Sequence, residues 1–176
     1  MTARRAVPSV QLLPATLAEA ELLSNLLELY IHDLSPYYPH VELGADGRFG
    51  YPDLPRYWSE PTRRFPFLIR ASGRVAGFVL ARRGSPASSD PEVLDVVEFF
   101  VLRQQRRGGV GREAALQLWR RLPGSWTVRV SEGNPGALDF WRRAVGQAAN
   151  GNVMESSLPG RAHPWRVLSF SVDTQP

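Results

Sequence analysis

The stretch VLDVVEFFVL, Val93 to Leu102, constrains this chain more than any other. It is apolar except at Asp95 and Glu98. A nearly continuous apolar run of this length reads as a strand buried on both faces, with a layer packed on each side. Directly after it come Arg103 to Arg107, the cluster Gly108-Gly109-Val110-Gly111, and an amphipathic helical pattern over Gly109–Leu122. A buried strand that turns through glycine into a helix aims unsatisfied N–H donors, and the positive end of the helix dipole, at one point. Phosphate is the natural guest there. Glycine lets the backbone approach it without a Cβ in the way. Arg106, Arg107 and Arg112 add charge around the same point.

The flanking sequence supplies the other layers. Val7–Ala15 reads as a strand. Thr16–Leu34 reads as a helix, with Thr16 and Glu19 at capping-box spacing and an apolar stripe through Leu22, Leu23, Leu26, Leu27 and Tyr30. Ser35–Pro61, rich in Pro, Gly and Tyr, predicts a long loop with a short helix near Leu54–Trp58, a length often tied to function. Phe65–Ala71 and Arg74–Arg82 form a hairpin across Ser72-Gly73. Trp126–Val130 is a strand, and Asn134–Val145 a helix with Asn134 as N-cap and Pro135 at its first position. Asn152–Ser157 and Trp165–Val172 close the chain as a strand pair. The order predicts one mixed α/β domain over residues 1–176, a length suited to a single core.

Composition narrows the chemistry. The apolar fraction of 43% and charged fraction of 22% are those of a soluble globular chain. No cysteine is present, which removes thiolate nucleophiles and cysteine-ligated metal; His32, His40 and His163 stand in unrelated contexts, so no metal site is expected. No stretch approaches the ~20 apolar residues of a membrane span. Pro8, Gln11 and Pro14 interrupt any signal-peptide core, so a cytoplasmic protein is expected. All 21 basic residues are arginine, which reads first as a compositional bias. The net charge of +4, spread over scattered pairs such as Arg4–Arg5, Arg63–Arg64 and Arg142–Arg143, does not predict nucleic acid.

Two phosphate motifs are excluded. A P-loop ends in Gly-Lys-Ser/Thr, and the chain has no lysine; the spacing of Gly108, Gly109 and Gly111 does not fit G-x-G-x-x-G. What stands there is R-x-x-G-x-G, Arg106 to Gly111, behind a hydrophobic strand. About two dozen residues on, NPGALDFWRR carries Asn134, Ala137, Phe140 and Trp141 at N-x-x-A-x-x-[apolar]-[aromatic] spacing. Together these resemble the acyl-CoA motifs of the GCN5-related N-acetyltransferases, the GNAT family. The resemblance is specific from about Val93 to Gly146 and covers the rest in element order. It implies a GNAT-like fold, a mixed and mostly antiparallel central sheet flanked by helices. It implies acetyl-CoA as co-substrate, no metal, and transfer of its acetyl group to an amine. By the resemblance, the backbone of Phe99, Phe100 and Val101 pairs with the pantetheine arm. The turn of Arg106, Arg107, Gly108, Gly109, Val110, Gly111 and Arg112 holds the pyrophosphate. Asn134 bonds near the thiol end, and Phe140 and Trp141 wall it.

Amide formation needs a base for the amine. Glu98 and Asp95 are the candidates, since a carboxylate in so apolar a strand is costly unless used or solvated. Three positions apart, they lie on opposite faces of a regular strand and on one face if a bulge intervenes. Many members of the family carry tyrosine where Trp141 stands, as the acid for the departing thiolate; indole does not serve, so water or another tyrosine, with Tyr30, Tyr37 and Tyr38 as candidates, takes the task, or the thiolate leaves without an acid. Acids and aromatics between Glu28 and Trp58 suit a cationic acceptor. The expected partners are acetyl-CoA and an amine acceptor, with self-association into a homodimer left open and neither nucleic acid nor membrane expected. Two other readings are kept: an acyl-CoA-binding module without turnover, and a basic nucleic-acid-binding protein.

Overall fold

In the computed structural model, which describes residues 8–173, the apolar run is the middle strand of a seven-stranded sheet. The elements follow in the order β1 (Val10–Pro14), α1 (Ala20–Leu34), α2 (Arg56–Ser59), β2 (Arg64–Ala71), β3 (Arg74–Arg83), β4 (Leu94–Val101), α3 (Val110–Arg121), β5 (Gly124–Ser131), α4 (Pro135–Ala148), β6 (Met154–Leu158) and β7 (Trp165–Val172). The sheet order is β1-β2-β3-β4-β5-β7-β6. The predicted order of elements is met, with ends displaced by a few residues. Val7 and the Arg4–Arg5 pair lie outside the described residues. At the start of α1, the Glu19 carboxylate accepts from the Thr16 N–H at 3.0 Å, but the first turn, Leu17–Glu19, is 3₁₀ and the α-helix begins only at Ala20.

Both faces of the sheet are covered, as the apolar β4 requires. On one face α3 and α4 bury Val79, Ala81, Val96 and Val101 against Leu118, Trp119, Trp141 and Val145. On the other, α1 and α2 bury Phe78, Leu80 and Phe100 against Leu23, Leu27 and Tyr57. Every strand pairing is antiparallel except β4 with β5. That parallel pairing joins only Leu94–Val96 to Trp126–Val128, although β4 continues to Val101 and β5 to Ser131. Beyond Val96 the two strands part. β4 stays paired to β3 on its other side, and β5 to β7.

A bulge marks the parting. Leu80 faces Glu98 and Ala81 faces Val96, so Val97 is the extra residue in β4. The bulge puts Asp95 and Glu98 on one face, the one that also carries Arg82 and Leu80. Beyond the bulge, β3 and β4 approach closely at Gly77, where a Cβ would collide with the Phe100 carbonyl. Among the described residues no helix is long and apolar enough to cross a membrane.

The contact at Gly77 generates a test of the packing. Gly77→Ala forces β3 away from β4 at the strand that carries the site, an overpacking that costs about 1–3 kcal/mol. The expected fall in melting temperature is roughly 2–4 °C for each kcal/mol in a chain of this size, read by a thermal melt.

Candidate active site

Where β4 and β5 part, a cleft opens that divides into two adjoining cavities. One, of about 640 Å³, is lined by Tyr38, Tyr51, Glu98, Arg129 and Trp165 among others. The second, of about 750 Å³, is lined by Val101, Arg107, Gly111, Arg112 and Phe140 among others. Tyr30, Phe99 and Asn134 border both and mark the passage between them. The β4 edge from Val97 to Val101 has no strand beside it on this side, so the backbone groups not paired to β3 face the cleft, apart from the Val101 carbonyl, which Arg106 takes.

The second cavity ends on the glycine turn. Gly109 is the N-cap of α3 with φ of 82°, in the left-handed region that glycine tolerates. Arg107 is also left-handed, at φ 64°. The first helical bond runs from the Glu113 N–H to the Gly109 carbonyl at 3.0 Å. The N–H groups of Val110, Gly111 and Arg112 therefore precede the helical ladder and lack helical acceptors. At Gly111 an added Cβ would lie 3.4 Å from the Phe140 ring and 3.5 Å from Val101 Cγ2. Val110 itself turns into the core, and Gly108 is exposed on the outer side of the turn.

The arginines here divide. Arg106 donates through Nε to the Val101 carbonyl at 2.7 Å and through Nη2 to Asp33 Oδ2 at 2.7 Å, and its guanidinium lies 5.7 Å over the Phe100 ring. Arg103 pairs with the same Asp33 at 2.8 Å. Burial alone would raise the Asp33 carboxyl, but the two guanidinium groups outweigh it and hold it below its ordinary value. Arg107, Arg112 and Arg143 line the cavity and form no ion pair among the described residues. They are the cations open to an anion.

The two acids of β4 share a face and differ in surroundings. Glu98 faces the first cavity; Oε2 accepts from the Tyr30 hydroxyl at 2.7 Å and Oε1 from the Tyr51 hydroxyl at 3.0 Å. Burial raises its pKa above the ordinary carboxylate value, and the two phenol bonds offset part of that rise. Burial and the neighbouring Glu98 also push the Tyr30 and Tyr51 phenols up, so both are neutral donors. Asp95 has no exposed surface and lines neither cavity. It accepts from Arg129 Nε at 3.2 Å and Nη2 at 2.8 Å and from Thr127 at 3.0 Å, with Arg82 Nη2 at 3.5 Å. As a base for substrate, the role expected of it beside Glu98, it is enclosed; it is placed instead to fix Arg129.

Asn134 caps α4 by accepting from the Ala137 N–H at 3.2 Å while bordering both cavities. Of the adjacent aromatics, Phe140 reaches the second cavity. Trp141, expected to wall the same space, is turned into the core because neighbouring helical residues point about 100° apart. Its ring meets Phe99 at 4.9 Å and Trp119 at 6.2 Å, and it lines neither cavity. Sequence reading overlooked Arg129, which was legible only as a lone charge in an apolar strand. Tyr51 and Glu28 fall in the Glu28–Trp58 stretch expected on the acceptor side, without an individual role: Glu28 takes the N–H groups of Phe49 at 2.7 Å and Gly50 at 3.1 Å, which fixes the loop that delivers Tyr51.

Comparison with known proteins identifies the family and the fold. Residues 25–146 match the model of the acetyltransferase (GNAT) family. No curated protein matches the sequence. An acetyltransferase from Thermus thermophilus superposes with a TM-score of 0.63 at 21% identity, over 94% of this chain and 99% of that one. The aminoglycoside acetyltransferase AAC(6')-Ib, solved with coenzyme A, gives 0.65 at 15%, over 93% and 95%. The yncA protein of Salmonella typhimurium, solved with its cofactor acetyl-CoA, gives 0.57 at 13%, over 94% and 95%. At these identities the likeness is one of fold.

The enclosed carboxylate sets a stability test. Asp95→Ala leaves two guanidinium groups largely buried without their counter-charge, a loss of about 3 kcal/mol given their partial exposure. The expected drop in melting temperature is about 6–12 °C, measured by calorimetry.

Proposed function

We propose that this chain, which belongs to the acetyltransferase (GNAT) family, moves the acetyl group of acetyl-CoA directly to the amine of a small molecule or peptide. The observation that carries this reading is the parting of β4 from β5, which leaves an unpaired strand edge running from a buried carboxylate to a glycine turn. An extended chain bearing amides, with phosphate at its far end, matches that edge. Phe99, Phe100 and Val101 would offer their backbone to the amide-bearing arm. The turn from Arg106 to Arg112 would offer its free N–H groups to the pyrophosphate, with Arg107, Arg112 and Arg143 beside it. Asn134 and Phe140 would border the thiol end.

Acetyl-CoA supplies an activated thioester, whose carbonyl carbon bonds to the amine nitrogen as the carbon–sulfur bond breaks. The chain's own part is proton management. Glu98 takes a proton from the amine, and its raised pKa brings it closer to neutrality, where a base works best. The proton then has a path out. Once protonated, Glu98 can donate to the Tyr30 oxygen, which frees the Tyr30 proton for the departing sulfur. Tyr30 already bonds to Glu98 and borders both cavities, which supports it for the task that Trp141 does not perform. The non-catalytic alternative was motivated by Trp141 alone; a base with a hydroxyl relay in the cleft favours turnover.

Two measurements test this reading. Gly111→Val drives a branched side chain against Phe140 and Val101 where the cofactor backbone site lies. Calorimetric titration should show at least a tenfold loss of coenzyme A affinity with the far-ultraviolet dichroism unchanged; wild-type affinity would put the cofactor elsewhere. Glu98→Gln keeps size and hydrogen bonding and removes proton acceptance. Turnover should fall roughly 10²–10⁴-fold while acetyl-CoA binding stays within a few-fold. In the wild type the acid limb of kcat/KM should lie above the ordinary carboxylate range, because burial disfavours the charged form. The glutamine variant should lack that limb.

A further inference from the structure

Building on the acetyltransferase reading, we infer that the acceptor is zwitterionic: an α-amino acid or close analogue, whose carboxylate is taken by Arg129 while its amine faces Glu98. Both residues line the same cavity. Arg129 is held there by its fork: Nε and Nη2 are both engaged with Asp95 at 3.2 and 2.8 Å. Its Nη1 bonds to nothing among the described residues and is not among the enclosed polar atoms that lack a partner, so it keeps accessible surface, in a residue that lines this cavity. A guanidinium fixed on one edge and open on another is a preorganised carboxylate receptor.

The charges support the same conclusion. Asp95 lies within 3.5 Å of Arg82 and 2.8 Å of Arg129, so one buried anion faces two cations. The trio carries a surplus positive charge, and Arg129 is its member on the cavity. Glu98 contributes one negative charge inside the same cavity, and Glu42, which also lines it, is exposed to solvent that screens its charge. A ligand with ammonium and carboxylate on neighbouring atoms complements both. A simple amine leaves Arg129 Nη1 unengaged in a partly desolvated wall, although Nε and Nη2 keep Asp95, and an internal residue of a peptide presents an amide where the carboxylate is needed.

The remaining walls indicate the side chain. Arg129 lies 5.7 Å over the Trp165 ring, and Tyr38 stacks on the same ring at 6.1 Å and 28°. Val41, Phe49 and Trp165 line the cavity beyond. These surfaces suit an apolar or aromatic side chain rather than a polyhydroxylated one.

The test varies the substrate first, which avoids any question of folding. Thiol release from saturating acetyl-CoA is measured with phenylalanine, its methyl ester and phenethylamine, and with leucine, its methyl ester and isopentylamine. The free acids should show kcat/KM about 10- to 100-fold above their partners, the usual worth of a charge-assisted bond. The esters have the less basic and more available amine, so a deficit there reports the carboxylate. Esters or decarboxylated amines that match the acids overturn the inference, as does turnover confined to amino sugars or polyamines. In Arg129→Gln, and in the milder Arg129→Lys, the acid-to-ester ratio should collapse towards one; a ratio unchanged in a variant of native dichroism also overturns it. Binding of acetyl-CoA without turnover of any amine would instead overturn the acetyltransferase reading, and the acceptor assignment with it.

Discussion

The site depends on a sheet that fails to close. The seven strands are two antiparallel halves, β1 to β4 and β5-β7-β6, joined by three residue pairs between β4 and β5. Each half is firm. β3 holds β4 from Leu94 to Val101, and β7 holds β5 along its whole length. The bulge at Val97 adds local twist to β4 as the parallel pairing ends. A single continuous sheet would satisfy more backbone groups. The parted sheet keeps part of that row free, and α3 and α4 begin beside the gap, α3 with unsatisfied donors at the glycine turn and α4 capped by Asn134. Strand edge and helix start then form one continuous polar track.

The last point of contact between the halves is tied by charge. Asp95 from β4 gathers Arg82 from β3 and Thr127 and Arg129 from β5, all three strands meeting on one carboxylate. A buried ion network of this kind adds little net stability, since desolvation consumes much of the attraction. Its effect is on geometry. Three strands are locked in register where the pairing ends, and Arg129 is turned by its own fork towards the cleft. The same burial acts differently three residues on. Glu98 has neutral phenols in place of cations, so its carboxyl is pushed up. Two acids of one strand thereby take different partners, Asp95 two guanidinium groups and Glu98 two phenols.

Much of this was legible in the sequence, for particular reasons. The glycine turn could be read because its requirement is local: a left-handed Gly109 and a helix that starts at Val110 are consequences of adjacent residues. The order of elements followed from apolar period. The condition for Asp95 and Glu98 to share a face, a bulge between them, could be stated in advance but not located, since it is a property of the β3–β4 register. The division of Phe140 from Trp141 was also open, because the phase of α4 on the sheet decides which of two adjacent aromatics enters the core. The enclosure of Asp95 could not be read at all; its partners come from β3 and β5 and from Ser85 in the loop after β3.

The legible and illegible halves of the site correspond to two kinds of construction. The proposed cofactor side is built from backbone: a free strand edge, a turn and two helix starts between Val97 and Asn134. Backbone sites impose residue types at fixed short spacings, and those survive as motifs. The acceptor side is built from side chains that meet across the fold. Tyr30 reaches Glu98 over 68 positions, Tyr51 over 47, and Arg129 reaches Asp95 over 34. Tyr51 arrives only because Glu28, on the helix that carries Tyr30, gathers the N–H groups of Phe49 and Gly50. Such a site has no spacing to conserve, and each contributor can change without disturbing the cofactor track. Acceptor choice can therefore vary on a constant donor site, and the acceptor proposed for this chain rests on the contacts of Glu98 and Arg129, not on any motif.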